Sequence, residues 1–330
     1  MAIFRCNTCG HIREVGSDYI GKTVKCPKCD HVTVIHDTIA FLKALIHKHL
    51  NQGKELKALQ KQLSPKNASD NPAEDLLLEE IDIHNTSALS QSSQLEPIIQ
   101  WFKKRQITPQ AHPEMVDTTG FFDEIALSLG DNIETLGFVS SQIKYIQNKG
   151  YANVKLDLSR KSPEEIRTIR KFCKDLHDYS FVAKYFYIKK DNIIRLTLQE
   201  APKIKAFFNG IWMEWFTLMK MLEFFSTQKI TPSCARGLNI SFRNGTSNEL
   251  DLFFLLEEKI PICIECKTGE FRHDINKYLS LRKQLNIDKS QFILCVFGLS
   301  AEQAQGMTSM YDITFVNEKN LINHIQTLFP

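Results

Sequence analysis

The stretch ELDLFFLLEEKIPICIECKTG, residues 249–269, has the apolar content of sheet core, yet Asp251, Glu265 and Lys267 interrupt it. A charge taken out of water is costly unless a partner compensates it. Residues 250–256 and 262–267 read as antiparallel strands joined through EEKIP, with the turn centred near 258 or 259. Glu265 and Lys267 are two apart and share a face, whereas Ile264 and Cys266 point into the opposite layer. Asp251 joins the charged face if its cross-strand partner is residue 265 or 267, because a slip of one position sends a side chain to the other side.

Two carboxylates converging at a sheet end stay ionised only beside a cation, and all-oxygen coordination suits Mg²⁺ or Mn²⁺. Asp251, Glu265 and the backbone carbonyl of Cys266 form the expected ligand set. Lys267 is expected to orient or help deprotonate a water for in-line attack on phosphorus and to stabilise the negative charge that grows there. Glu214, the one acid in the apolar helix start GIWMEWF, is the candidate fourth group, as a further ligand or holding a water. The alternatives are an ordinary salt bridge for the strand trio and an acid favouring the helix dipole for Glu214.

At the other end of the chain, Cys6, Cys9, Cys26 and Cys29 are spaced CxxC-x16-CxxC within residues 1–36. So short a segment cannot bury a core unaided, and a Zn²⁺ held by four thiolates is expected to replace the missing burial, the alternatives being four unligated thiols or a redox dithiol. Four sulfur ligands close the coordination sphere, so this ion is expected to be structural, and His11 and His31 are superfluous as ligands. Lys22, Lys25 and Lys28 beside the second knuckle either touch phosphates or form a solvated face. Cys263, Cys266 and Cys295 lie in apolar strands and read as buried free thiols.

Residues 37–64 read as a helix with a stripe of Leu42, Leu45, Ile46, Leu56, Leu59 and Leu63, available for oligomerisation. Residues 65–97 read as an acidic flexible linker. A small α/β middle domain is expected over 98–204. Within it a helix ends at Gly150, NVKLDLS alternates as a strand, Ser162, Pro163 and Glu165 cap a helix from 163 to about 177, and a hairpin turns at Lys190–Asn192. That unit carries no catalytic constellation, and its expected role is to hold, dimerise or position. Residues 205–330 order as α-β-β-β-α-β with an α-β-α extension, which gives a mixed sheet flanked by helices. Trp212 and Trp215 read as core, and Lys277, Arg282 and Lys283 as solvent-facing or DNA-contacting.

The pattern D-x13-E-x-K on a hairpin, with a helix acid before it and a helix after it, resembles the PD-(D/E)XK superfamily of restriction-endonuclease-like nucleases over about 205–330. Within it GIWME, NELDLFF, IECKTG and KYLSLRKQL resemble the nuclease domain of CRISPR ancillary nucleases switched on by cyclic oligoadenylate. That resemblance implies a restriction-endonuclease-like fold and metal-dependent cutting of nucleic acid, with Glu214, Asp251, Glu265 and Lys267 in the matching roles. It also implies an anti-phage setting and action in pairs, as a homodimer or with a recruiting defence protein. Upstream the sequence departs from that family, with a cysteine module in place of a glycine-rich Rossmann-type sensor. The module itself resembles the zinc ribbons found at protein N-termini.

Composition adds boundaries. At 330 residues, 43% hydrophobic and 24% charged, the chain has the make-up of a soluble globular protein, and a formal charge of +3 is too small to argue for a polyanion by itself. No stretch approaches the roughly 20 apolar residues of a membrane span and no leader pattern opens the chain, so a cytoplasmic location is expected. The fold class expected is mixed α+β, and the activity an Mg²⁺- or Mn²⁺-dependent endonuclease acting on DNA ahead of RNA. The alternatives are an inactive zinc-ribbon adaptor binding nucleic acid or protein, and a structure-specific repair or recombination nuclease.

Overall fold

The structure is a computed structural model, and it describes residues 2–6, 8–9, 11–15, 17–39, 92–116, 121–269 and 271–329. The helix expected over 37–64 lies outside these residues apart from 37–39, and so does the linker expected over 65–97 apart from 92–97. Two compact units result, an N-terminal one and a body.

In the N-terminal unit, β1 (Ala2–Arg5) pairs antiparallel with β2 (Ile12–Val15) and with β5 (His36–Asp37), while β3 (Thr23–Lys25) pairs with β4 (Val32–Val34). Among the described residues its buried apolar side chains are Ala2, Phe4 and Ile35, joined by the two cysteines Cys6 and Cys26. Three apolar side chains are too few to hold such a fold, as the sequence anticipates.

The body is built on a six-stranded mixed sheet. β10 (Pro232–Ser241), β11 (Ser247–Leu256) and β12 (Ile260–Thr268) form an antiparallel meander, and β13 (Phe292–Phe297) and β14 (Thr314–Val316) extend it in parallel. β6 (Thr108–Gln110) closes the other edge against β10. A parallel neighbour needs a crossover, and α7 (Ile275–Leu285) and α8 (Ala301–Met310) supply the two here. The order read from the sequence for 205–330 is found.

Helices cover both faces. α6 (Trp212–Thr227) is apolar on nearly every side and is accordingly buried between the sheet and other helices. α2 (Phe122–Asp131) crosses it closely: a Cβ on Gly130 would stand 2.2 Å from Cδ2 of the Phe216 ring. On the opposite face, Leu95, Ile98, Trp101 and Phe102 of α1 (Ser92–Lys104) pack with Leu238, Ile240 and Phe253.

The region 98–204 differs from a separate domain in two ways. Its first part, α1 and β6, belongs to the six-stranded sheet and its covering layer, because the apolar stripe of α1 needs the apolar face of β10 and β11. Its remainder, α3 (Ile133–Asn148), β7 (Asn153–Asp157), α4 (Pro163–Asp178), β8 (Val182–Ile188), β9 (Ile193–Leu198) and the short α5 (Pro202–Ala206), shares one continuous core with α6 and the sheet. The cap read at Ser162 is present: its Oγ accepts from the Glu165 N–H at 3.2 Å, and Glu165 Oε2 accepts from the Ser162 N–H at 2.8 Å. β8 and β9 form the expected hairpin, and β7 joins β9 to make a three-stranded sheet ordered β7-β9-β8.

Candidate active site and zinc centre

The hairpin register decides the first question. β11 and β12 pair from Leu256↔Ile260 to Leu252↔Ile264, and one further step sets Asp251 against Glu265, as one of the two expected alignments required. At that step the two strands part. β12 goes on beside β13 to Thr268↔Phe297, while its ladder with β11 ends at Ile264. The backbone donor of Cys266, freed by the parting, is taken up by the Asp251 carboxylate: the Cys266 N–H donates to Oδ2 at 2.8 Å. In return the Asp251 N–H donates to Glu265 Oε1 at 3.3 Å. The charges that interrupt the apolar run are therefore placed where the sheet opens, and each of the two carboxylates replaces a missing ladder bond.

Gly237 stands across from Asp251 on β10, between the pairs Arg236↔Leu252 and Leu238↔Leu250. Its φ of +61° lies in the left-handed region that glycine enters without steric penalty. Lys267 lies with its Nζ 3.7 Å from Asp251 Oδ2, and 5.9 Å from the ring centroid of the buried Tyr278 on α7. From the other layer, Glu214 in the first turn of α6 accepts from Arg236 Nη1 at 3.0 Å. Thr217, one turn further along α6, meets Cys266 across 3.4 Å and ties the helix to β12.

Sequence reading missed Arg236. Its side chain is 5% exposed, donates through Nε to the Met115 carbonyl at 2.6 Å, and lies over the Trp215 ring at 4.4 Å. The signal was available: a lone cation in the apolar strand SCARGLN, directly before a glycine, is as anomalous as Asp251 in its own strand. Tyr278 was missed for a different reason, since nothing marks a tyrosine in an amphipathic helix as facing charge.

The electrostatics are those of crowded acids. Burial, and then the charge of Asp251, push Glu214 up to about 7 despite Arg236. Glu265, 2% exposed, is raised well above the carboxylate range by burial and by Asp251, with Lys267 opposing. Burial works against the Lys267 ammonium, but Asp251, Tyr278 and Glu265 outweigh it and hold the group protonated above the ordinary lysine range. Burial and the Glu265 charge push Tyr278 up to about 12. Asp251, Glu265 and the Cys266 carbonyl fit a hard cation in donor chemistry: all are oxygen donors, and the buried Glu265 carboxylate needs positive charge to ionise.

Of the remaining basic candidates, Arg282 holds structure: it pairs with Asp312 and donates to the Ile287 carbonyl at 3.0 Å. Lys277 and Lys283 are exposed. Trp212 and Trp215 are core, and Cys263, Cys266 and Cys295 are buried and free.

In the N-terminal unit the four sulfurs of Cys6, Cys9, Cys26 and Cys29 all lie within 4.8 Å of one another, with Cys6 to Cys29 at 3.4 Å and Cys9 to Cys26 at 3.5 Å. Sulfurs at the corners of a zinc tetrahedron stand about 3.8 Å apart, so the set fits the ion. Among the described residues it is the one group of three or more ligand-type side chains gathered so tightly. The knuckles are equivalent: the Cys6 N–H donates to the His11 carbonyl and the Cys26 N–H to the His31 carbonyl, at 2.9 and 2.8 Å. The histidines thus serve through their backbones. The backbone at Cys9 pulls the Cys6 thiol down to about 6. The backbone at His31 favours the Cys29 thiolate too, yet Cys6, burial and the other two cysteines push it up to about 12. Lys22, Lys25 and Lys28 are exposed, with Lys22 Nζ 4.9 Å from the Tyr19 ring centroid.

Fold and cysteine cluster together define a mixed α+β protein with a zinc-ribbon N-terminus. No helix among the described residues is long and apolar enough to cross a membrane. No family model matches the chain, and no curated protein matches its sequence. Solved structures similar to it include protein VC1899 from Vibrio cholerae, at 15% identity and TM-score 0.48, covering 70% of this chain and 60% of that one. Another is Can2 from Sulfobacillus thermosulfidooxidans in complex with cyclic tetra-adenylate, at 16% identity and TM-score 0.47, covering 70% of this chain and 59% of that one. The chain thus spans about three-fifths of the length of each.

Proposed function

We propose that the body is a metal-dependent nuclease that hydrolyses phosphodiester bonds, acting on DNA as an endonuclease. The observation that carries this reading is the meeting of Asp251, Glu265 and Lys267 at the point where β11 and β12 part, with Glu214 approaching from α6. Asp251, Glu265 and the Cys266 carbonyl would hold Mg²⁺ or Mn²⁺, with Glu214 as a further ligand or a holder of water. When bound, the ion would supply Lewis acidity toward a phosphate oxygen and would lower the pKa of the attacking water.

The protein's own groups do the rest. The Asp251 carboxylate, fixed by the Cys266 N–H, keeps the two strand acids at one place. Lys267, protonated and restrained beside Tyr278, donates to the non-bridging phosphate oxygens as charge gathers on them. Arg236 holds the Glu214 carboxylate in one orientation. Each group is seated on a strand or on a buried helix, which gives the precision that in-line attack requires.

In this reading the zinc ribbon serves recruitment, a defence role against phage is the setting, and two copies of the chain cut the two strands of a duplex. The test is incubation with plasmid and linear DNA, and with RNA, in Mg²⁺ or in EDTA. Cutting that requires Mg²⁺ and is lost in Asp251→Ala and Lys267→Ala supports the proposal. Binding without cutting under every condition refutes it in favour of an adaptor.

A further inference from the structure

Among the described residues, the three-stranded sheet β7-β9-β8 is covered by helix on one face only, by α4 and α3. Val154, Leu156, Ile194 and Leu196 point into the shared core, and Arg170 of α4 lies over the Tyr187 ring on that side. On the other face a cross-strand row runs Lys155, Arg195, Phe186, set by the pairs Lys155↔Arg195 and Phe186↔Arg195. Residues directly opposite in an antiparallel ladder share a face, so the three side chains stand side by side. All are exposed, and Phe186 is 60% exposed. Lys184, two pairs along at Thr197 and so on the same face, extends the basic rim on the Phe186 strand. Asp157, an acid on this face, is engaged by the Ser159 N–H at 2.9 Å.

A bare aromatic ring beside cations on an open sheet matches one ligand chemistry in particular: a base to stack on the ring and phosphates to meet the cations. We infer that this face binds a single strand of nucleic acid, with an unpaired base on Phe186 and the flanking phosphates on Lys155, Lys184 and Arg195. A duplex does not fit, because its bases are already stacked on one another. Charge complementarity supports this occupant, since three cations of the face meet one acid that is already hydrogen-bonded. The contacts are to base faces and phosphates, which DNA and RNA share. The polar pair that could read the sugar is tied together, Thr197 Oγ1 donating to Asn153 Oδ1 at 3.3 Å. Stacking and phosphate contacts by themselves do not distinguish the two sugars, so like affinity for both is expected.

This inference does not depend on the nuclease reading, and its test is chosen accordingly. Full-length zinc-loaded protein in an Asp251→Asn background, without added Mg²⁺, is titrated against labelled oligo(dT), oligo(U) and a duplex of equal length by fluorescence anisotropy. The expected result is like affinity for both single strands, weaker binding of the duplex, and a loss of roughly five- to hundredfold for the single strands in Phe186→Ala. Phe186→Tyr retains binding, and Arg195→Ala lowers the slope of log K against log salt by about 0.7. Both substituted side chains are exposed, so melting temperatures should be unchanged. The proposal is overturned if single strands do not bind, if Phe186→Ala binds them as the parent does, or if either sugar is preferred more than about tenfold. A duplex that binds equally well and shows the same dependence on Phe186 also overturns it.

Discussion

Glu214 offers a quantitative test of the crowded-acid picture that needs no substrate. Its carboxyl, 18% exposed, is pushed from an ordinary 4.5 to about 7 by burial and by Asp251. Below about pH 4.5 it is protonated in the folded and unfolded chains alike and has no effect on stability. As pH rises from there toward 7, the unfolded carboxyl ionises while the folded one holds its proton, so unfolding is progressively favoured. The full penalty, reached above about pH 7, is on the order of 3 kcal/mol. Glu214→Gln removes the titration but keeps the hydrogen bond to Arg236. The measurement is urea unfolding of both proteins at several pH values between about 4 and 8, followed by tryptophan fluorescence. Trp101, Trp212 and Trp215 are the three tryptophans of the chain, and all report on the body. The account expects the variant to gain on the parent by roughly 3 kcal/mol across this window in EDTA. Added Mg²⁺ should shrink the gain at the alkaline end, because a cation among the acids favours the ionised form. A stability difference that stays flat with pH would show that Glu214 does not sense the charge of Asp251, and the argument for a shared site would fail.

Other consequences follow from single contacts. Gly130→Ala places a methyl against the Phe216 ring at 2.2 Å, and calorimetry should show a melting temperature lowered by a cost of about 1–3 kcal/mol. Arg236→Met strips a buried carboxylate of its cation and should destabilise the body by about 3 kcal/mol at neutral pH, less under acid conditions where Glu214 is neutral. Zinc released on thiol modification should amount to one ion per chain and fall away in Cys6→Ser, while the far-ultraviolet signal of the body persists.

The legible parts of this molecule were those where local rules act alone. Ser162, Pro163 and Glu165 announced a helix start because a cap is satisfied within four residues, and the structure contains it. The β11–β12 hairpin was equally local. Its partners are a few residues apart, and the αL conformations of Glu257 and Glu258 close the turn. Long-range placement was not legible. The pairing of β6 with β10 joins residues more than a hundred positions apart, and three residues of strand carry too little pattern to declare it. The shared core likewise erased the boundary expected at 204, since the apolar surface of α6 on its far side takes up α2 and its neighbours. At the candidate site, charge in an apolar run is the signal the sequence offers, and applied to every strand it also marks Arg236.

The central claim is that Asp251 and Glu265 share one divalent cation with the Cys266 carbonyl. An anomalous difference map from crystals soaked in Mn²⁺ tests it directly. The account predicts a peak where β11 and β12 part, about 2.1 Å from a carboxylate oxygen of each acid and from that carbonyl. Density showing both carboxylates ordered as described, with no manganese between them at saturating concentration, would contradict it.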